Sequence, residues 1–306
     1  MPELAEVIAR LTALLGSRQG EVAPLDGGIT NRNFKVSFDG TEYVLRLPGK
    51  DTEKLGIDRD AECDANQRAA ELGIAPRVVT MLQEPQCIVT CFVEGRTASP
   101  AELREPELLA EVASALRSFH DSDATLQANF DSFRIVEQYA GIARDHSVEM
   151  PDGYKSALAS ARAIESALEG QPEHAPVPCH NDLLPANFIL GGDRMQIVDW
   201  EYAGMGDRYF DLGNFAVNNE LDADGERRLL EAYFEEPPDG RRYAALRLMR
   251  FMSDFREAMW GVVQSGISEL DFDFGDYGRT HFNRLGEASR DPRFKCWIEE
   301  AGGGST

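Results

Sequence analysis

The stretch VPCHNDLLPANFIL, from Val177 to Leu190, crowds one histidine, one aspartate and two asparagines into a short loop between apolar residues. Asp182 brings a carboxylate that can orient a hydroxyl and take its proton, which turns a poor nucleophile into a competent one. Asn187 offers a neutral amide oxygen, and Asp199 in MQIVDWEYAG offers a charged one. Oxygen donors of these two kinds suit a hard divalent cation such as Mg²⁺. Between them, NFILGGDRMQIVDW reads as a hairpin turning at Gly191–Gly192, which would return both oxygens to one end of two paired strands. A carboxylate base beside paired metal ligands is the equipment of phosphoryl transfer.

The spacing His180-x-Asp182-x4-Asn187 is that of the kinase catalytic loop, with Asp199 standing where the metal-binding aspartate follows. Such a match is frequent by chance when taken alone. The hairpin, the later aspartate and the elements upstream give it weight. His180 is expected to be structural, bonding to backbone near the loop. Asp211 in YFDLGNF could be a third metal ligand, but an aspartate at the start of a helix more often caps it or anchors a loop, and the anchor is the expectation here.

Elements must position these groups. Leu4, Val7, Ile8, Leu11, Leu14 and Leu15 recur at helical spacing and stop near Gly16. Phe34, Val36 and Phe38 then alternate as in a strand, Asp39–Gly40 signals a hairpin, and TEYVLRLPG returns. DRDAECDANQRAAELG reads as a helix capped by Gly73, with Pro76 beyond it. Strand-like RVVTML and CIVTCFV follow. After Gly95 helices dominate: Pro106–His120, Ile135–Ala143, Tyr154–Leu168, Gly225–Phe234 and a long one near Tyr243–Ser265. The expected fold class is α/β (α+β). It is bilobal and protein-kinase-like, with a small antiparallel-sheet N-terminal lobe over 1–94 and a mostly helical C-terminal lobe over 95–306.

The first lobe reads as a cover for a nucleotide, ATP in the simplest case. Gly27, Gly28, Ile29, Thr30 and Asn31 form a turn able to lay backbone N–H groups over phosphates. Arg46, on the return strand, can fork across phosphate oxygens and keeps its charge. Glu62, beside the helix stripe of Ala61, Ala65, Ala69 and Leu72, is the natural ion-pair partner for Arg46, unless it is an ordinary solvated helix charge. Thr90, Cys91, Phe92 and Val93 are placed to present backbone groups to adenine.

Composition limits the other possibilities. The 306 residues are 42% hydrophobic and 27% charged, a globular profile, and the net charge is −22. Such a surface disfavours nucleic acid and anionic membranes and tolerates cationic ligands. Five cysteines without a C-x-x-C pair suggest neither a disulfide framework nor a zinc site. No apolar run reaches membrane-spanning length, and MPELAEVIARLTALLG lacks the basic start of a signal peptide. A cytoplasmic enzyme, monomer or homodimer, without membrane insertion is expected.

Beyond these residues, CHNDLLPAN, IVDWEYAG and FDLGN resemble the motifs of the choline/ethanolamine kinase branch of the aminoglycoside phosphotransferase-like superfamily. GGITNRNF is similar to that family's nucleotide loop, YVLRLPG to its phosphate-binding strand, and LLAEVASALRSFH to its helix ending in Phe-His. MWGVVQSGISELDFDFGDY resembles its acceptor segment, so the likeness covers most of Leu25–Phe282. The resemblance implies an ATP- and Mg²⁺-dependent kinase for a small amino alcohol, with Asp182 as base and Asn187 and Asp199 on the metal. It carries Trp260 and Tyr277 onto aromatic positions of the amine pocket, where an ammonium is held by ring faces and carboxylates. Where animal choline kinases have a second tryptophan, this chain has Glu257, a carboxylate that would also suit a primary amine or polar alcohol. Glu201 and Glu220 are further candidates to face the amine, with solvated surface as the default for both. Trp260 and Val263 could instead be ordinary core at helical spacing. A kinase for aminoglycosides or another small alcohol is the nearest alternative. A non-catalytic nucleotide-binding module is disfavoured by the joint presence of Asp182, Asn187 and Asp199.

Overall fold

Helical spacing of apolar residues at the start of the chain produces helix α1 (Pro2–Leu15) in the computed structural model, which describes residues 2–16, 18–25, 31–49, 52–192 and 194–303. Val7, Ile8 and Leu11 of α1 pack against Phe34, Val36, Phe38, Leu45, Leu47, Cys87 and Val89. Those partners line one face of an antiparallel sheet built from β1 (Gln19–Leu25), β2 (Asn31–Phe38), β3 (Thr41–Pro48), β4 (Val78–Gln83) and β5 (Gln86–Cys91). The spatial order is β1-β2-β3-β5-β4. Phe38 pairs with Thr41 across Asp39 and Gly40, whose φ values of 47° and 83° are those of a turn matched to strand twist. Because side chains alternate along a strand, Arg46, between the buried Leu45 and Leu47, points to the other face.

Helix α2 (Arg59–Glu71) begins where the Asp58 side chain accepts the N–H groups of Asp60 and Ala61. Ala61, Ala65 and Ala69 are buried, and so are the polar Arg59, Glu62 and Asn66. Strand β6 (Arg96–Thr97) pairs with β8 (Phe188–Leu190), which pairs with β9 (Gln196–Ile197). That late hairpin bonds back to the early chain: the Ala98 N–H donates to the Phe188 carbonyl at 2.8 Å, and the Ile197 N–H to that of Ile74 at 2.7 Å. The chain accordingly divides into two compact units, Met1–Ala98 with Ala186–Tyr202, and Ser99–Pro185 with Ala203–Thr306. No single cut in the sequence separates them.

The second unit is mostly helical: α3 (Pro100–Leu103), α4 (Pro106–His120), α5 (Ser132–Asp145), α6 (Tyr154–Leu168), α7 (Arg208–Asn218), α8 (Ala223–Phe234), α9 (Gly240–Ile267), α10 (Phe274–Arg290) and α11 (Phe294–Ala301). Its strands are β7 (Val177–Cys179) and β10 (Gly204–Gly206), paired antiparallel. Helices α4 and α6 have the expected bounds, whereas α5 and α9 start earlier because Asp131 and Asp239 cap them. Helices α7, α10 and α11 go beyond those that periodicity suggests. The reason is plain for α7, where every residue from Tyr209 to Val217 is buried and no polar face marks the period. Helix α9 packs against α5, α6, α7, α8, α10 and α11 and forms the centre of the unit. At Gly213 of α7 a Cβ would lie 2.6 Å from the Arg250 nitrogen, so only glycine permits that crossing. Among the described residues, no helix is long and apolar enough to cross a membrane.

Candidate active site

The loop after β7 is held by helix α7. Asp211, in the first turn of α7, accepts the backbone N–H of Asn181 at 2.6 Å and that of His180 at 2.8 Å. It also bonds the His120 ring at 2.9 Å, and the other ring nitrogen of His120 meets the Tyr233 hydroxyl at 2.7 Å. A carboxylate only accepts, so Nε2 of His120 carries the proton and Nδ1 receives the tyrosine hydroxyl. Asp211 is thus a loop anchor, as the sequence suggested; the helix cap is Asp207. His180 is fully buried and structural, with Nδ1 accepting the Asp182 N–H at 3.2 Å. One turn along α7, Asn214 accepts the Leu183 N–H at 2.5 Å and donates to Ser253 at 2.9 Å. Sequence reasoning missed Asn214, although FDLGN places it one helical turn after Asp211. His120, Cys179 and Asp211 bring metal-ligating atoms together. Asp211 already serves two amides and an imidazole, and burial pushes the Cys179 thiol far up, with Asp211 adding to it. That arrangement suits an anchor better than a metal site.

A second constellation lies in the first unit. Arg46 bonds Glu62 at 3.1 Å and also bonds Asp199. Arg59, which the sequence reading passed over, bonds Glu62 at 2.6 Å, Glu201 at 3.2 Å and Asn31 Oδ1 at 2.9 Å. Asn31 Nδ2 in turn donates to Glu201 at 2.8 Å. Glu62 is therefore a buried ion-pair partner rather than a solvated helix charge. Glu201 is a correction. It is 5% exposed, and its carboxylate is taken up by Arg59 and Asn31 rather than standing as surface or offering itself to an amine. Burial pushes the Glu201 carboxyl up to about 7; Asp199 adds to the shift, Arg46 opposes it, Glu62 adds and Arg59 opposes. Burial alone would lower the Arg46 pKa, but Asp199, Glu62 and Glu201 outweigh it and the net shift is upward.

Asn187 directly precedes β8, and its carbonyl accepts the Val198 N–H at 2.9 Å. With Phe188 opposite Ile197, this brings Asn187 and Asp199 to the same end of the hairpin. Asp199 adopts a left-handed φ of 68°. One amide oxygen and one carboxylate at one strand end form a hard donor set that fits Mg²⁺. In the segment Thr90–Val93, two backbone donors are engaged. The Cys91 N–H donates to Arg77 and the Phe92 N–H to Glu42, so those two donors are committed within the unit. Gly27, Gly28, Ile29 and Thr30 lie outside the described residues.

The second unit gathers Glu257, Trp260 and Tyr277. The Tyr277 hydroxyl donates to Glu257 at 2.6 Å, and Trp260 meets Tyr277 edge-on at 5.5 Å and Phe274 at 5.7 Å. Burial, reinforced by Glu257, pushes the Tyr277 hydroxyl far up, so it stays a donor. Glu257 also bonds the buried Arg256, a residue missed in the sequence. Its carboxylate therefore bridges Arg256 and the Tyr277 hydroxyl. Glu220 is exposed and pairs with Arg104 at 3.2 Å. A cavity of about 720 Å³ elsewhere in this unit, bordered by Phe130, His174 and Met249, contains none of the singled-out residues. Its size does not make it the reaction site.

The loop carboxylate in the second unit, and the Asn–Asp and arginine–glutamate pairs in the first, are each of the kinds that phosphoryl transfer uses. Residues 21–246 match the model of the phosphotransferase enzyme family, and the chain belongs to that family. Within it, the chain is 30% identical to a choline/ethanolamine kinase family protein from Mesorhizobium loti, with a TM-score of 0.85 over 99% of this chain and 100% of that one. The choline kinase LicA from Streptococcus pneumoniae is 25% identical, with a TM-score of 0.78 over 93% of this chain and 98% of that one. Ethanolamine kinase 2 of Rattus norvegicus is 29% identical over 84% of this chain and 73% of its own length. The protein is a choline/ethanolamine kinase-like phosphotransferase, an enzyme that phosphorylates an alcohol.

Proposed function

We propose that this enzyme transfers the γ-phosphoryl group of ATP to the hydroxyl of choline, ethanolamine or a related amino alcohol. The observation that carries this reading is the Asn187–Asp199 pair at one hairpin end, with Asp199 already matched by a cation, Arg46. First-unit residues hold the nucleotide: Arg46 forks across phosphate oxygens, and Glu62 fixes its direction. Asn187 and Asp199 would hold Mg²⁺, which supplies charge neutralisation to the phosphates when bound. Asp182 accepts the hydroxyl proton as the acceptor oxygen bonds to the γ-phosphorus and the bond to the ADP oxygen breaks. Trp260 and Tyr277 line the amine pocket in the second unit, where ring faces favour an ammonium. The names of the relatives support an amino alcohol as acceptor.

A screen with radiolabelled ATP against choline, ethanolamine, related amino alcohols and several aminoglycosides tests this. Label transfer to an amino alcohol is expected. Transfer to aminoglycosides alone would replace the acceptor and leave the phosphotransferase class standing.

A further inference from the structure

Arg256 is 2% exposed, and a buried guanidinium is costly unless it is matched by charge and hydrogen bonds. Its partners are specific. One arm bonds Glu257, and the same nitrogen lies 3.7 Å from Asp182 Oδ1, an ion-pair separation rather than a hydrogen bond. The other arm donates at 3.3 Å to the carbonyl of Asn181, the residue just before Asp182. One guanidinium therefore touches both the carboxylate proposed as base and the backbone that presents it.

Arg256 is itself held in place. Glu257 is fixed from its far side by the Tyr277 hydroxyl at 2.6 Å, and the Phe130 ring lies 5.9 Å from the guanidinium carbon. Arg256 and Glu257 both stand on α9, the central helix of the unit, and a rigid element holds a charge more accurately than a loop can. Tyr277, Glu257, Arg256 and Asp182 make one continuous polar chain from the aromatic wall to the reacting carboxylate. Two carboxylates thus share one guanidinium. Without Arg256, Asp182 and Glu257 would repel each other in a buried setting.

We propose that Arg256 is the positioning residue for Asp182: it holds the carboxylate and the preceding carbonyl in the proton-accepting arrangement, while Glu257 and Tyr277 hold Arg256 from the acceptor side. This rests on the reading of Asp182 as the base. It also gives Glu257 a task distinct from binding the amine, namely to couple the acceptor wall to the base.

The test is a double-mutant cycle on the full chain, with kcat and KM measured for ATP and for the acceptor amino alcohol. Arg256→Met is expected to lower kcat about thirtyfold, with KM for ATP changed by less than about twofold, since misplacing a reacting group costs rate rather than nucleotide binding. Arg256→Lys should recover at least about fivefold of that loss, because the charge returns without the fork. In an Asp182→Asn background, Arg256→Met should change kcat by less than about twofold, because no base remains to be positioned. An equal loss in both backgrounds would overturn the proposal, as would a lysine variant no better than methionine. An Asp182→Asn enzyme with wild-type turnover would instead sink the base reading, a separate result. Should Arg256→Met not fold, Glu257→Gln takes its place, with a kcat loss of about fivefold expected that vanishes in the Asp182→Asn background. A loss that persists there counts against the coupling.

Discussion

In the first unit, Arg46 and Arg59 share Glu62 and reach Asp199 and Glu201 on a hairpin far along the chain. In the second, the single Arg256 serves Glu257, its chain neighbour, and Asp182. The first cluster is assembled from α2, two strands of the sheet and the end of a late hairpin. The second comes largely from one helix and one loop. Two guanidiniums among three carboxylates form a braced support, in which each arginine also holds the tertiary structure together. One guanidinium between two carboxylates is a lever with no substitute. Loss of Arg59 should appear mainly as lost stability, and loss of Arg256 mainly as lost turnover.

The largest expected effect tests the brace. Arg59→Met leaves the buried Glu62 and Glu201 short of a cation and should cost about 3 kcal/mol in urea unfolding. A change near zero would mean the cluster does not support the fold. Next, Asp182→Ala should lower kcat about a hundredfold while a fluorescent ATP analogue still binds with wild-type affinity. Unchanged turnover would remove Asp182 from its role and leave the second cluster without a catalytic purpose. Asp199→Asn should weaken magnesium-dependent nucleotide binding about tenfold, read by titration with and without the metal. Superimposable curves for variant and wild type would count against metal ligation. The smallest effect concerns the aromatic wall. Trp260→Phe should raise KM for the amine about threefold, with KM for ATP unmoved, because a smaller ring attracts an ammonium less. Equal shifts in both constants would make Trp260 a packing residue.

Much of the site was legible before folding. The loop from His180 to Asn187 carries its chemistry within a few residues, and Gly191–Gly192 announces the hairpin that returns Asp199. Asp211 was readable as an anchor because an acidic residue at a helix start more often caps the helix or holds a loop than binds a metal. Arg59 was not legible, since a charged residue in the first turn of a helix usually meets water. Glu201 was a candidate for the amine with solvated surface as its default, for the same reason, and Arg256 lies in the charged stretch SDFRE, where a charge also usually meets water. Helix α7 was anticipated only through Asp211, and its extent escaped because burial on every side erases the period that marks a helix.

Local spacing sufficed for the loop from His180 to Asn187, the strand alternation that turns Arg46 away from the core, and the bounds of α4 and α6. These depend on neighbours a few positions apart, and covalent geometry keeps such neighbours together in any fold. The partners of the buried charges followed a different logic. That Arg59 also reaches Glu201, that Tyr277 bonds Glu257, that Arg256 bonds the Asn181 carbonyl, and that residues 186–202 join the first unit all emerged from long-range packing. A charge removed from water must find its counter-charge wherever the folded chain brings one, and sequence distance has no say in that.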